Sequence, residues 1–542
     1  MADGLFGLLS DLSGIQEQRD IQVREQTLLE KLINIEQGIL LHVVRYILID
    51  KFSKRIDKLL NKQPNDDSEE FLESGMLSSI YSYLTKELEP VEFSEKDLTE
   101  YILARTNNYD RDSLVCGVFS GFLLSLMTER NQAQGKRTRF YINGSGNSFD
   151  YLFAFARTVD ELIVENFSGD YICTNIGSNG GVANQVVGLN LKGNYALAEI
   201  GTDGGNVSLV LGVGIKGISA LSSIGKNGGN VKYVLGFDIE GDNALYNICS
   251  NKGNISLICG YGIIGKNVLS AICNDGGKGE MIIGINITGD NALSSSGTRK
   301  GNIELLYGIN IKGYGALSYA ANKKGNIKLV MGDNITNINN EKHALFKTGA
   351  LSFIASEEGH VEVVVGNKIT ARNALSHIGF KNGRIGKLIA IAVKGEEALF
   401  YIGCDDEKRE AIINYSFDCE LKRDIIKMYE KRLGYKIEPD GQDTNRAPPN
   451  FIGEEYENVK EVLCDNETDV TPTKLCCKKL VIGNQAREEY QRIMQEHKLN
   501  EIVDVIKSMQ GKSYQDVLRI TDELSALKLI APEMFFERTE DK

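Results

Sequence analysis

Tryptophan is absent from this chain of 542 residues, and proline and histidine are scarce, with 7 and 5 residues. Glycine is abundant instead, with 56 residues, but it does not recur as Gly-X-Y, which excludes a collagen triple helix. Glycine that is not accompanied by proline and serine tracts also argues against a flexible linker. The hydrophobic fraction of 42% and the charged fraction of 25% are typical of a folded protein, so we expect glycine to have a geometric role.

The ten cysteines follow neither a disulfide framework nor a paired Cys-x-x-Cys spacing. The tightest cluster is Cys464 with Cys476 and Cys477, for which metal binding stays an open alternative. Scattered thiols are typical of a reducing compartment. The N-terminus has no basic segment followed by a cleavage site, and the most apolar stretch, residues 39–49, is too short to span a bilayer. We therefore expect a cytoplasmic protein without membrane insertion, and we predict no cofactor.

The formal net charge of −13 is unevenly distributed. Basic and acidic residues are nearly balanced between Arg139 and Glu397, so the flanking regions carry the acidic excess. An acidic chain repels the phosphates of a nucleic acid. General nucleic-acid binding is therefore disfavoured unless one face of the protein is basic.

The middle of the chain contains a repeat with a period of 24 residues. A leucine that follows alanine, or a residue equivalent to it, recurs at this spacing, except for one spacing of 34 that indicates a ten-residue insertion near residues 333–350. A fixed period of this length is typical of a solenoid, in which each coil buries its apolar residues against its neighbours. The recurring leucines are Leu197, Leu221, Leu245, Leu269, Leu293, Leu317, Leu351, Leu375 and Leu399.

Each repeat unit has three parts. A Gly-Asn pair opens the unit and precedes an apolar run, which predicts a buried strand. A second run alternates polar and apolar residues, which predicts a second strand, and the glycines between the runs predict turns with positive φ. Ala220, Leu221 and Ile224 then lie at i, i+1 and i+4, a spacing that predicts a short helix. We expect the recurring asparagines to stack as a ladder of amides.

The sequence therefore predicts an α+β repeat solenoid of strand–strand–short-helix coils, flanked by all-α regions. The coils are similar in size to leucine-rich repeats, and the architecture is that of such repeats or of a β-helix. The resemblance is architectural only, because the pattern LxxLxLxxNxL is not matched. A helix that begins at Asp112 is expected to cover the open end of the first coil. The predicted organisation is a helical N-terminal domain or cap (1–137), the solenoid of about ten repeats (138–404), a helical C-terminal cap (405–439), an irregular linker (440–485) and a small helical module (486–542).

The leading functional hypothesis is a non-enzymatic scaffold that binds protein partners. It depends on residues predicted to face outward on the second strand, where the charge varies from coil to coil while the inward residues stay apolar. Variable side chains on a constant frame are typical of a recognition surface. These residues are Asn190, Lys192, Lys216, Asp238, Glu240, Asn286, Thr288, Asn310 and Lys312.

Two alternatives stay open. The chain could be an enzyme with an unrecognised site in the insertion or the C-terminal module, although the sequence contains no phosphate loop, HExxH or nucleophile motif. Alternatively, basic residues that recur at one turn could form a nucleic-acid-binding edge of the solenoid. Those residues are Lys226, Lys252, Arg299, Lys300, Lys323, Lys324 and Lys381.

Overall fold

A computed structural model of the chain describes residues 26–39, 74–107, 113–337, 349–395, 398–399, 402, 459–465, 467–468, 480–482, 484–510, 512, 515–517 and 519. The chain divides into two compact units, Met1–Arg105 and Thr106–Lys542. The predicted cap at 405–439 and two of the clustered cysteines, Cys476 and Cys477, lie outside the described residues.

The described part of the first unit is helical. Its helices are α1 (28–39), α2 (Ser74–Leu88) and α3 (Glu95–Arg105). The buried Glu36 carboxylate accepts hydrogen bonds from the Tyr101 hydroxyl and from the Arg105 guanidinium, whose Nη2 lies 2.5 Å from Oε1. Because both charges are largely removed from water, losing one partner would leave the other uncompensated. This ion pair therefore fixes α1 against α3.

The second unit is a parallel β-solenoid of about ten turns. Its strands are β1 (Arg139–Asn143), β2 (Thr158–Glu165), β3 (Val182–Leu189), β4 (Asn206–Val213), β5 (Asn230–Phe237), β6 (Asn254–Tyr261), β7 (Lys278–Ile285), β8 (Asn302–Lys312), β9 (Asn326–Thr336), β10 (His360–Thr370), β11 (Arg384–Ile391), β12 (Val459–Cys464) and β13 (Leu480–Ile482). They form one parallel sheet in chain order. Gly212 pairs with Gly236, 24 positions on, whereas Gly332 pairs with Gly366, 34 positions on. The predicted period and insertion are thus confirmed, since the longer coil keeps the ladder in register.

The interior of the solenoid is filled by the recurring leucines, all of which are fully buried. The amide ladder is also present at the start of the strands. Asn254 Nδ2 donates to Asn230 Oδ1 at 2.9 Å, and Asn230 Nδ2 donates to Asn206 Oδ1 at 3.3 Å. His360 pairs in register with Asn326, so it occupies an asparagine position of the repeat.

The Ala-Leu segment of each coil is a chain of turns, and the prediction of a short helix is wrong. Alternate residues have positive φ, with values of 59°, 53° and 55° at Ser219, Leu221 and Ser223. The Leu221 N–H donates to the Ala196 carbonyl of the preceding coil, rather than to a carbonyl four residues earlier. The turn path still directs Ala220 and Leu221 into the core, so a spacing of i, i+1 and i+4 does not distinguish it from a helix.

The predicted second strand is reduced to one bridging residue in most coils. Lys216, for example, forms isolated parallel bridges with Lys192 and Glu240, and a continuous strand reaches this position only in β8, β9 and β10 among the described coils. The residue two positions earlier in each coil turns the chain, as Asp238 does with a φ of 52°. The coil is therefore one long strand, a corner and a run of turns.

Helix α4 (Ser113–Ala133) covers the first coil, as predicted. The Ser120 hydroxyl accepts the Phe153 N–H at 2.9 Å, and the Ser125 hydroxyl accepts the Arg157 N–H at 2.7 Å. These bonds satisfy backbone donors at the open end of the solenoid. Among the helices in the described ranges, α4 alone is long and apolar enough to cross a bilayer, but 72% of its most apolar stretch is buried inside the protein.

The C-terminal flank is not all-α, because it supplies strands β12 and β13 to the sheet. The segment predicted as an irregular linker thus contains two strands. They are followed by helices α5 (Asn484–Glu496) and α6 (Leu499–Ser508), which pack on the outer face of the sheet. The described helices of the C-terminal module therefore share a hydrophobic cluster with the outer face of the sheet.

Polar contacts fix α5 on the sheet. The Tyr490 hydroxyl donates to Asp333 Oδ2 at 2.9 Å, and Lys387 Nζ lies 2.9 Å from Glu489 Oε1. Burial raises the pKa of the Asp333 carboxyl above its usual range. The later residues of the strands are buried on both faces, inside by the leucines and, over part of the sheet, outside by α5 and α6, whereas the first residues alternate exposed polar with buried apolar side chains.

Candidate partner-binding surface

The residues predicted as an outward recognition row fall into two groups. Asn190, Asp238, Asn286 and Asn310 lie at the corner of their coils, with φ between 51° and 55°. Asparagine and aspartate tolerate this left-handed conformation better than other non-glycine residues, and Gly214 and Gly262 occupy the same corner in other coils. The left-handed backbone therefore favours these residue types, and Asn310 Nδ2 also donates to Asn286 Oδ1 at 3.0 Å.

The second group lies two residues further along, and its members differ in chemistry without any backbone reason. In chain order this row reads Lys192, Lys216, Glu240, Ile264, Thr288 and Lys312, each bridged to the next by the backbone and each exposed. Lys216 Nζ pairs with Glu240 Oε2 at 2.7 Å. The fixed spacing of these residues and their varied side chains make this row the better candidate for recognition.

Large apolar side chains are exposed beside this row, and the sequence reasoning missed them. Ile264, in the row itself, is 58% exposed, and Ile218 is 49% exposed. Tyr195, 38% exposed, lies next to Ile218, since its N–H donates to the Ile218 carbonyl at 2.8 Å. An available signal was that Ile264 occupies a phase of the repeat where other coils carry lysine, glutamate or threonine.

Tyr195 is held in place by a column of stacked rings. Its ring lies 4.8 Å from that of Tyr171, and the Tyr171 ring lies 4.9 Å from that of Tyr151, with interplanar angles of 2° and 1°. Burial, and then the neighbouring Tyr171, raise the pKa of Tyr151 to about 12, so this hydroxyl is uncharged at neutral pH. We call the exposed row, together with Ile218 and Tyr195, the corner surface.

The residues of the predicted nucleic-acid edge do come together at one turn of the solenoid. Six of them are exposed there. Lys226 is half-buried and lies one residue before the repeat position that Arg299 and Lys323 occupy in their coils. Carboxylates are interleaved with them: Arg299 Nη1 lies 3.1 Å from Asp275 Oδ2, and Lys324 Nζ lies 3.3 Å from Glu358 Oε2. The exposed members are Lys252, Arg299, Lys300, Lys323, Lys324 and Lys381.

The cysteines in the described part of the chain are buried. Cys259 and Cys464 are covered by the core, and burial raises the pKa of Cys259 to about 12, which disfavours the reactive thiolate. Within the described ranges, no three His, Cys, Asp or Glu side chains are placed to hold a metal ion. No protein-family model matches the chain, and neither a curated protein nor a solved structure matches it.

Proposed function

We propose that the protein is a cytoplasmic, non-enzymatic scaffold that binds a protein partner through the corner surface. The observation that carries this proposal is the exposure of Ile218 and Ile264 on a frame whose other apolar side chains are largely buried. Exposed apolar residues ringed by polar ones mark interaction sites. Here Lys192, Lys216 and Glu240 are the polar neighbours in the row, and Glu240 lies in the coil between the two isoleucines.

The backbone beneath this surface supports the proposal, because it is bonded on both sides. The Ser219 N–H donates to the Asp242 carbonyl of the next coil, and the Leu221 N–H donates to the preceding coil. A surface that is ordered before binding loses little conformational entropy when the partner arrives. The stacked Tyr195 adds an aromatic residue of the kind that dominates binding energy in protein interfaces.

The charges suggest what the partner presents. Lys216 is already paired with Glu240, whereas Lys192 and Lys312 lie at the two ends of the row. We expect a partner with an apolar centre that receives the isoleucines and carboxylates towards the two ends. Such rim charges mainly accelerate association, so binding should weaken moderately as salt rises.

The test is affinity purification from cells with quantitative mass spectrometry, using substitutions taken from neighbouring coils. Ile218→Asp and Ile264→Glu reproduce Asp242 and Glu240 of the same repeat positions, so the fold should tolerate them. We expect the double variant to lose at least 90% of one specific partner, since a charge would replace each exposed isoleucine.

The matched control adds the same charges at the distant turn edge, as Asn251→Asp and Asn382→Glu, which reproduce Asp275 and Glu358. The control should retain the partner. A wild-type bait without a specific protein, or equal loss in both variants, would contradict the proposal. Recovery of nucleic acid in place of a protein would favour the basic edge instead.

A further inference from the structure

A second polar surface lies at the other end of the strands, away from the corner surface. It is a shallow trough of about 530 Å³ that runs along the solenoid axis across the first residues of β3 to β8. This volume falls within the range of small-molecule and cofactor sites. Neighbouring strands are about 4.8 Å apart, so the trough presents its side chains with that spacing.

One wall of the trough is the amide ladder. Asn206, Asn230 and Asn254 form a continuous chain of Nδ2–H···Oδ1 bonds. A primary amide has two N–H groups and two lone pairs on its oxygen. In the ladder, the Asn230 side chain uses one N–H to donate to Asn206 and one lone pair to accept from Asn254. One N–H and one lone pair of this amide are left for a ligand. The equivalent residue is Lys278 in β7 and again an asparagine, Asn302, in β8.

The other wall comes from the residues two positions later in each strand. Ser208, Lys232, Ser256 and Glu280 line it, and Ser256 Oγ lies 3.2 Å from Glu280 Oε1. The Lys232 ammonium lies over the Tyr233 ring, 4.9 Å from its centroid. Two lysines and two glutamates line the whole trough, so its formal charge balances.

These features select among extended ligands. An extended polypeptide advances about 3.3 Å per residue, which does not match a spacing of about 4.8 Å between coils. A nucleic acid requires a net positive surface to neutralise its phosphates, which the balanced charge of the trough does not provide. A chain of pyranose sugars advances by about one coil spacing per ring and presents hydroxyl pairs that an amide can bind through its N–H and C=O together. We propose that the trough binds a linear, uncharged, β-1,4-linked polysaccharide with one sugar ring per coil.

This proposal is independent of the protein partner, and it is tested by calorimetric titration of the full chain. The probes are hexasaccharides with β-1,4 links, made of glucose, mannose, xylose or N-acetylglucosamine. We expect at least one of them to bind at millimolar concentration or below. Asn230→Leu should weaken that binding at least tenfold, because it removes the donor and acceptor at the centre of the trough.

The control is Asn267→Leu in a second amide ladder, Asn243–Asn267–Asn291, whose bonds of 3.0 and 3.1 Å match the first. Asn267 lies on the turn face outside the trough and has a φ of 54°, so this variant should lose at least as much stability as Asn230→Leu but keep its affinity. The absence of binding by all four probes would overturn the proposal. Equal weakening in both variants, or tighter binding of oligothymidine than of any sugar, would do the same.

Discussion

Replacing Gly241 with alanine tests the stacking geometry of the corners. Gly241 has a φ of 157°, and a Cβ at this position would overlap the carbonyl oxygen of Gly217 in the preceding coil. A Cβ at Gly217 would likewise overlap the carbonyl oxygen of Gly193, and a Cβ at Gly289 would overlap that of Gly265. The obstacle is backbone, so no side-chain rotation can relieve it, and the coils must move apart.

The expected cost follows from two contributions. A non-glycine residue in this region of φ costs about 1–3 kcal/mol. Forcing extra atoms into a packed site costs about 1–3 kcal/mol more. Gly241→Ala should therefore lower the free energy of unfolding by about 2–6 kcal/mol, a large part of the ~5–15 kcal/mol that is typical of folded proteins.

Gly228→Ala is the matched control. Gly228 also has positive φ, at 78°, but a Cβ there would meet no atom within 4 Å. The equivalent residues of other coils, Lys252 and Lys324, adopt φ of 66° with a full side chain. The control should therefore cost only about 1–2 kcal/mol.

The assay combines urea unfolding with hydrogen exchange, because a solenoid can lose its coils locally before it unfolds globally. We expect Gly241→Ala to reduce amide protection first in the coils around Gly217 and Gly241. If Gly228→Ala proves as destabilising as Gly241→Ala, or if protection falls evenly along the sheet, the close backbone approach is not what limits this position.

Three further predictions concern the coil and the C-terminal helices. Leu245→Ala should cost about 2–5 kcal/mol in urea unfolding because Leu245 is fully buried, and a smaller loss would contradict its place in the core. Asp238→Ala should cost about 1 kcal/mol and Asp238→Gly much less, since glycine accepts the corner φ of 52°; equal losses would refute the role of φ. Glu489 should stabilise α5 above pH 4.5 and cease to do so as the pH falls towards 2, because the Arg492 hydrogen bond, and then Lys387, lower its pKa from 4.5 to about 2. The difference in stability between wild type and Glu489→Gln should therefore shrink over this pH range, and a constant difference would contradict the ion pair.

The periodic features of the fold could be predicted from the sequence. Leu221 and Leu245 recur every 24 residues because each coil must present the same side chain to the same interior, and Asn230 recurs for the same reason at the strand start. The short helix could not be distinguished, since φ of 53° at Leu221 is unfavourable for an isolated leucine. Bonds between coils, such as that from Leu221 to Ala196, outweigh this local preference.

Features without repetition were not predictable in the same way. Strand β12 has no Gly-Asn start, and its pairing of Val459 with Ile385 joins residues that are distant in the chain. Its place in the sheet depends on pairing with β11, the last strand of the repeat, and the local sequence of β12 does not indicate this pairing. In the corner surface, the outward direction of Lys216 and Glu240 agrees with the structure, whereas Asp238 has a backbone role that the alternating pattern conceals.

Site-specific photo-crosslinking at Ile264 tests the central claim, the recognition of a protein partner by the corner surface, most directly. A photoreactive phenylalanine at this position, which is 58% exposed, should give one discrete protein adduct in cells. The same residue at Asn251 should give none, and Ile218→Asp in the same chain should abolish the Ile264 adduct because both isoleucines lie on the corner surface that the partner is proposed to cover. Adducts at both positions, at neither, or at Ile264 regardless of Ile218→Asp would contradict the account.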